Sequence, residues 1–187
     1  MRWAALISGG KDSICALTYA TAKHRVECLV NIQAIEDSYM FHVPCAPLSR
    51  LVSQAVGIPL VSGVSSSHSD ELTLLHDLLH GLNIDGLVAG TIESNYQMNR
   101  LKALCDELSL QLCAPLWGKG TEGLLRVMAR SMDIVIVQVA AYGMDESWLG
   151  RKLDSTAVDA LVELNKRYGV HIMGEGGEYE TLVLDAS

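Results

Sequence analysis

Short apolar runs rich in β-branched residues alternate along the chain with longer stretches whose apolar positions recur at helical spacing. Runs at Trp3–Ile7, Val26–Ile35, Leu60–Val61, Gly86–Ala89 and Leu112–Leu116 predict strands. Asp12 to Lys23, Pro47–Val56, Ser69–Gly81 and the segment after Ser94 predict helices, with Ser69 as a cap ahead of an acidic first turn. Strands that alternate with helices predict a parallel sheet with crossover helices, an α/β class. Gly118 then marks a change, which predicts a domain over residues 1–118 and a smaller α/β domain over 119–187. In the second part, helices are expected over Thr121–Ser131 and from the Asp154 cap through Tyr168. A short helical piece is expected at Ser147–Leu149, and strands over Asp133–Ala141, Val170–Met173 and Thr181–Leu184.

At 187 residues the chain is long enough for a sizeable core. Its hydrophobic content of 49% with 19% charged residues belongs to a globular protein. No apolar stretch is long enough to span a bilayer and the N-terminus lacks a signal-peptide pattern, so a cytoplasmic protein with no membrane partner is expected. A net charge of −8 argues against a general nucleic-acid surface. The five cysteines contain no C-x-x-C pair and sit mostly in apolar runs, which predicts buried free thiols. His76 and His80 share a helix face without a carboxylate or cysteine at ligand spacing, so a solvated face is expected there and no zinc site.

The densest chemistry is Ser8-Gly9-Gly10-Lys11-Asp12-Ser13, placed between the first strand and the first helix. Two glycines let the backbone turn sharply, and the helix start presents free N–H groups to an anion. Lys11 adds a point charge, Ser8 and Ser13 add hydroxyls, and Asp12 suits a magnesium ion carried on a phosphate. These six residues form a candidate phosphate-binding loop. A Walker A loop is excluded because Ala5 stands where its first glycine is needed and Asp12 where its Ser or Thr is needed. The dinucleotide fingerprint fails because Gly9 and Gly10 are adjacent.

Three further stretches stand at predicted strand ends. Gly90-Thr91 closes a strand and leads into a helix carrying Tyr96, Gln97 and Arg100, where Arg100 has the geometry to clamp a phosphate or carboxylate. Asp37 to His42, which includes Tyr39, Phe41 and His42, is either a core plug or a site-lining loop. Gly174-Glu175-Gly176-Gly177-Glu178-Tyr179-Glu180-Thr181 places three glutamates around one tyrosine. Carboxylates with an aromatic face suit a cationic ligand such as a quaternary ammonium.

Ser8–Ser13 resembles the pyrophosphate loop of the ATP pyrophosphatases. Taken with Gly174–Thr181, Ser38–His42, Tyr96-Gln97 with Arg100, Ala114–Gly118, and Leu149–Arg151 with Leu153-Asp154, it resembles the diphthine–ammonia ligase family over nearly the whole chain, in order. The resemblance implies a Rossmann-like parallel sheet of the adenine-nucleotide α-hydrolase type, followed by a smaller substrate-binding domain. It implies ATP and Mg²⁺, an acyl-adenylate of diphthine on elongation factor 2, release of AMP and pyrophosphate, and attack by ammonia to give diphthamide. On this reading Ser8, Gly9, Gly10, Lys11, Asp12, Ser13, Gly90 and Thr91 hold the nucleotide, with Asp12 also the metal ligand. Tyr39, His42, Tyr96, Gln97, Arg100 and Glu175 to Thr181 (Gly176, Gly177, Glu178, Tyr179 and Glu180 included) form the substrate side. Lys11, Asp12, Glu175 and Glu178 are expected to be catalytic.

Two departures accompany the resemblance. His42-Val43-Pro44-Cys45 differs from the family's usual residues after Phe-His. The chain ends soon after Leu184-Asp185, which predicts a second domain lacking a final strand or borrowing one. Free ammonium is the expected nitrogen source, since no glutaminase domain is visible, and homo-oligomerisation is left open. Two other classes share such a loop. A tRNA-modifying adenylating enzyme would call for a basic face and paired cysteines, and an ATP-binding stress sensor would need neither Asp12 nor the glutamate loop.

Overall fold

The computed structural model describes residues 1–33, 48–65 and 71–186. The chain folds as two compact units, Met1–Trp117 and Gly118–Ser187. In the first, β1 (Arg2–Leu6), α1 (Lys11–Thr21), β2 (Arg25–Gln33), α2 (Ser49–Val56), β3 (Leu60–Val64), α3 (Glu71–His80), β4 (Gly86–Val88), α4 (Asn95–Glu107) and β5 (Gln111–Cys113) follow one another. Every strand pair is parallel, in the order β3-β2-β1-β4-β5. The α/β class with a Rossmann-like parallel sheet is therefore what the alternating pattern encodes. The third strand runs to Val64, longer than the two residues expected, because Leu60 to Val64 pair residue by residue with Leu29 to Gln33.

Burial follows the strand period of two. Ala4, Cys28, Val30, Ile32, Leu87 and Ala89 form one cluster with Leu75 and Leu79 of α3 and Leu101, Leu104 and Cys105 of α4. The alternate positions Trp3, Ala5 and Leu29 are buried as well. Both faces are covered, and for that reason the strands read as continuous apolar runs. Strand order sets the place of function. The chain steps outward from β1 through β2 to β3, then returns to the other side of β1 with β4. The loops after β1 and β4 thus flank the point where the order reverses, where ligands bind in open α/β sheets.

The second unit contains α5 (Thr121–Ser131), β6 (Asp133–Val139), a 3₁₀ turn at Glu146–Trp148, α6 (Ser155–Tyr168) and β7 (Tyr179–Asp185). β6 and β7 are antiparallel, and the other edge of β6 is bonded to the chain at Gly150 to Leu153. Leu124, Leu125, Met128, Ile134, Ile136, Leu153, Ala157, Val158 and Leu161 are buried. Asp154 caps α6 by accepting from the Ala157 N–H at 2.9 Å. The strand expected over Val170–Met173 is absent. That backbone enters turns instead, with the Gly174 N–H donating to the His171 carbonyl at 2.9 Å. Among the described residues no helix is long and apolar enough to cross a membrane.

Four cysteines, Cys15, Cys28, Cys105 and Cys113, are free thiols, and Cys45 lies outside the described residues. Burial, helped by the charge of Asp106, pushes the Cys105 thiol from an ordinary 9.0 up to about 11. The unfolded chain therefore ionises first as pH rises. This thiol's contribution to stability is intact below pH 9.0 and lost on the way to about 11. Chemical denaturation at about pH 8 and about pH 10.5 should show a larger alkaline loss in the wild type than in Cys105→Ala. An equal loss in both proteins would contradict this.

Candidate functional site

The first candidate site is built where β1 enters α1. β1 is held to the end of its register by the Ile7 N–H, which donates to the Val30 carbonyl at 2.9 Å. The buried Asn31 amide on β2 donates to the Ile7 carbonyl at 2.7 Å and secures the strand's exit. Ser8 and Ser13 then close the turn on itself. The Ser8 N–H donates to Ser13 Oγ at 3.2 Å, Ser13 Oγ donates to the Gly10 carbonyl at 3.0 Å, and the Gly10 N–H donates to Ser8 Oγ at 3.2 Å. Gly10 is extended at the N-cap position of α1, and no side chain caps this helix end. A helix start left without a side-chain cap keeps its N–H dipoles directed at whatever the loop encloses.

Lys11 is only 3% exposed, and its ammonium lies 3.0 Å from Asp12 Oδ2. A cation so buried interacts through a lower effective dielectric than a surface lysine does. Gly90, at the end of β4, meets this turn from the far side of the reversal point. A β-carbon at Gly90 would lie 2.8 Å from the Asp12 carbonyl carbon and oxygen and 2.9 Å from the Ser13 nitrogen. Thr91 beside it is buried, with its hydroxyl 3.5 Å from Gln97 Oε1, the outer limit of a hydrogen bond. Ser94 caps α4 by accepting from the Gln97 N–H at 3.3 Å. Arg100 lies 4.0 Å above the ring of Tyr96, the neighbour its i,i+4 spacing selects. Tyr39 and His42 lie outside the described residues.

The second candidate site lies within the C-terminal unit. The loop from His171 to Tyr179 folds as tight turns held by side chains at its two ends. Glu178 accepts from the His171 N–H at 3.2 Å through one oxygen and from the Gly176 N–H at 2.8 Å through the other. His171 Nδ1 accepts from the N–H groups of Met173 at 3.3 Å and Glu175 at 3.4 Å. The Gly177 N–H donates to the Gly174 carbonyl at 3.1 Å. Gly174 has φ +73°, where an L side chain is strained, and a β-carbon there would meet the Tyr179 carbonyl at 2.9 Å.

One expectation for this loop is corrected by that geometry. Tyr179 presents no open ring face to a cation. It is 2% exposed, begins β7 opposite Val139, and donates its hydroxyl to the Ile172 carbonyl at 2.6 Å. Glu178 is half-buried, and each of its carboxylate oxygens accepts one backbone N–H of the loop itself. Thr181 is buried in β7 opposite Ile136, while Glu175 and Glu180 are half-buried. Asn31 and His171 are the residues that sequence reasoning missed. The visible signals were a lone amide inside the apolar run Cys28–Ile32 and a histidine just ahead of the glycines.

A parallel sheet whose order reverses beside a Gly-Gly-Lys-Asp turn defines a Rossmann-like α/β protein of the pyrophosphate-loop type. Residues 1–112 match the family model described as the diphthamide synthase N-terminal domain, and residues 120–187 match the diphthamide synthase C-terminal domain. The chain belongs to the diphthamide synthase family. It is 37% identical over 212 residues to a Homo sapiens protein named diphthine–ammonia ligase, covering 99% of this chain and 79% of that protein. A Danio rerio protein of the same name is 36% identical, over 99% of this chain and 82% of that protein. The Saccharomyces cerevisiae protein so named is 31% identical, over 100% of this chain but 33% of that longer protein. A crystal structure described as a predicted subunit of tRNA methyltransferase from Methanocaldococcus jannaschii superposes with a TM-score of 0.54 at 16% identity. It covers 100% of this chain and 98% of that one, and at such identity it speaks to the fold alone.

Proposed function

We propose that this protein is an ATP-dependent amide-forming ligase that converts diphthine on elongation factor 2 to diphthamide. ATP adenylates the diphthine carboxylate with release of pyrophosphate, and ammonia displaces AMP from the acyl-adenylate. The observation that carries this reading is the near-full-length match to proteins named diphthine–ammonia ligase, which spans both units. Neither a tRNA-modifying role nor a silent nucleotide sensor has comparable support.

The first unit is assigned to ATP. Free amines do not attack carboxylates, so the chemistry needs AMP as a leaving group and stabilisation of the departing pyrophosphate. The α1 N-terminus, Gly9, Gly10 and the Ser8 and Ser13 hydroxyls suit the β,γ-phosphates. Lys11 supplies buried positive charge to them, and Gly90 and Thr91 complete the pocket wall. The donor set fits a divalent ion on the phosphates, with the Asp12 carboxylate as its holder. Such an ion, when bound, supplies Lewis-acid charge to the phosphate oxygens. Gln97 and Arg100, with Tyr96 beneath the guanidinium, are assigned to the substrate side.

The second unit is assigned to the modified histidine. Glu175 and Glu180 supply negative charge toward the trimethylammonium group, while Gly176, Gly177, Glu178, Tyr179 and Thr181 build the loop that presents them. Positioning and electrostatics, without a protein nucleophile, suffice for this reaction.

The test is pyrophosphate release from ATP and ammonium with and without diphthine-modified elongation factor 2. Release that requires the modified factor and converts its carboxylate to the amide supports the ligase. Release driven by tRNA, or ATP binding without release under any condition, overturns it.

A further inference from the structure

We propose that His171 is a positioning residue that sets the glutamate loop through Nδ1, acting as a histidine counterpart of an Asx turn. Two backbone N–H groups, those of Met173 and Glu175, converge on that one nitrogen at 3.3 and 3.4 Å. An N–H donor can be received only by a lone pair, so both bonds use Nδ1 as the acceptor. The same residue's own N–H is received by Glu178 Oε1, at 3.2 Å, and Glu178 Oε2 receives the Gly176 N–H at 2.8 Å. His171 and Glu178 therefore form two interlocked clamps across the turns. The Glu175 backbone is gripped by the imidazole on one side and adjoins Gly176, gripped by the carboxylate, on the other. The direction in which Glu175 leaves the loop follows from these bonds.

Asn and Asp side chains commonly accept the N–H two residues on, which is the Asx turn. Asparagine Oδ1 is bonded to its γ-carbon just as imidazole Nδ1 is. Glutamine Oε1 instead matches the reach of Nε2. The two amide variants therefore separate the two ring nitrogens. The consequence for the reaction rests on the ligase reading, in which Glu175 faces the diphthine group, but the consequence for the loop does not.

The experiment compares His171→Asn and His171→Gln in the full chain. Backbone amide exchange at Met173 and Glu175 is measured by NMR, and KM is measured separately for ATP and for diphthine-modified elongation factor 2. His171→Asn should keep both amides protected and hold the protein-substrate KM near the wild type. His171→Gln should lose the protection and raise that KM about tenfold, the scale of one lost hydrogen bond, with KM for ATP unchanged. Protection and turnover kept by His171→Gln but lost in His171→Asn would show that Nε2 is the working atom and overturn the proposal. Wild-type behaviour in both variants would overturn it too. If even the wild type does not turn over the modified factor, the ligase reading fails, and the amide protection still decides the role of His171.

Discussion

Lys11→Met should lower pyrophosphate release by about 10²–10³-fold while leaving a folded protein, the scale seen when one preorganised transition-state donor is lost. Methionine keeps the length and apolar body of the lysine stem and removes only the charge. That charge sits on a side chain that is 4% exposed, at the start of α1, where no side chain caps the helix. On the proposed ligase reading it faces charge that grows on the departing pyrophosphate, so its loss falls on the rate more than on ATP affinity. Asp12, whose side chain retains 31% exposure, can recover solvation when the ammonium 3.0 Å away is removed. Collapse of the fold is therefore not expected, and the thermal midpoint provides the control. Steady-state kinetics with the modified factor decide the point. A Lys11→Met enzyme within about threefold of the wild type, roughly half a kcal/mol by the rate relation, would remove Lys11 from the phosphate site.

Gly90→Ala should be nearly as damaging, for a steric reason. The added methyl would stand 2.8 Å from the Asp12 carbonyl, and that obstacle is backbone in the first turn of a helix, which cannot rotate away. Either β4 or the start of α1 must shift. Overpacking of this kind costs about 1–3 kcal/mol of stability. A shift of about 1 Å in the phosphate loop costs about 10²-fold in rate. Gly123→Ala is the matched control. It lies inside α5, where a β-carbon meets nothing within 4 Å, so alanine should stabilise the helix by about 1 kcal/mol. Chemical denaturation and pyrophosphate release on both variants would test the contrast. Full activity in Gly90→Ala would mean that the loop after β4 does not brace the loop after β1.

The two clamped loops differ in how much of them was legible. The strand-to-helix turn at Ser8–Ser13 is legible because its signals are consecutive: glycines and hydroxyls stand side by side between an apolar run and a helical pattern. The Asp154 cap of α6 was legible for the same reason, since its bond reaches only three residues on. The glutamate loop misled in part. Three glutamates and a tyrosine look alike as a ligand-facing set, yet Tyr179 is buried and Glu178 accepts N–H groups of the loop's own backbone. A carboxylate serves equally well as a ligand for a cation or as an acceptor for backbone N–H groups, and composition does not distinguish the two. The missing strand at Val170–Met173 has a related cause. β-Branched and apolar residues favour a strand, but the tertiary turn at His171–Gly174 overrode that preference.

The sequence by itself determined the α/β class, the spacing of strands and helices, and the tight strand-to-helix turn after β1, because each depends on residues that are neighbours along the chain. Only the tertiary structure decided that β4 returns beside β1, bringing Gly90 against Asp12, and that Asn31 secures Ile7 from 24 residues away. It alone decided that Tyr179 is buried and that Glu178 bonds the backbone of its own loop. Those outcomes turn on distances between groups that the chain brings together only when the apolar faces are buried, and burial is a property of the packed whole.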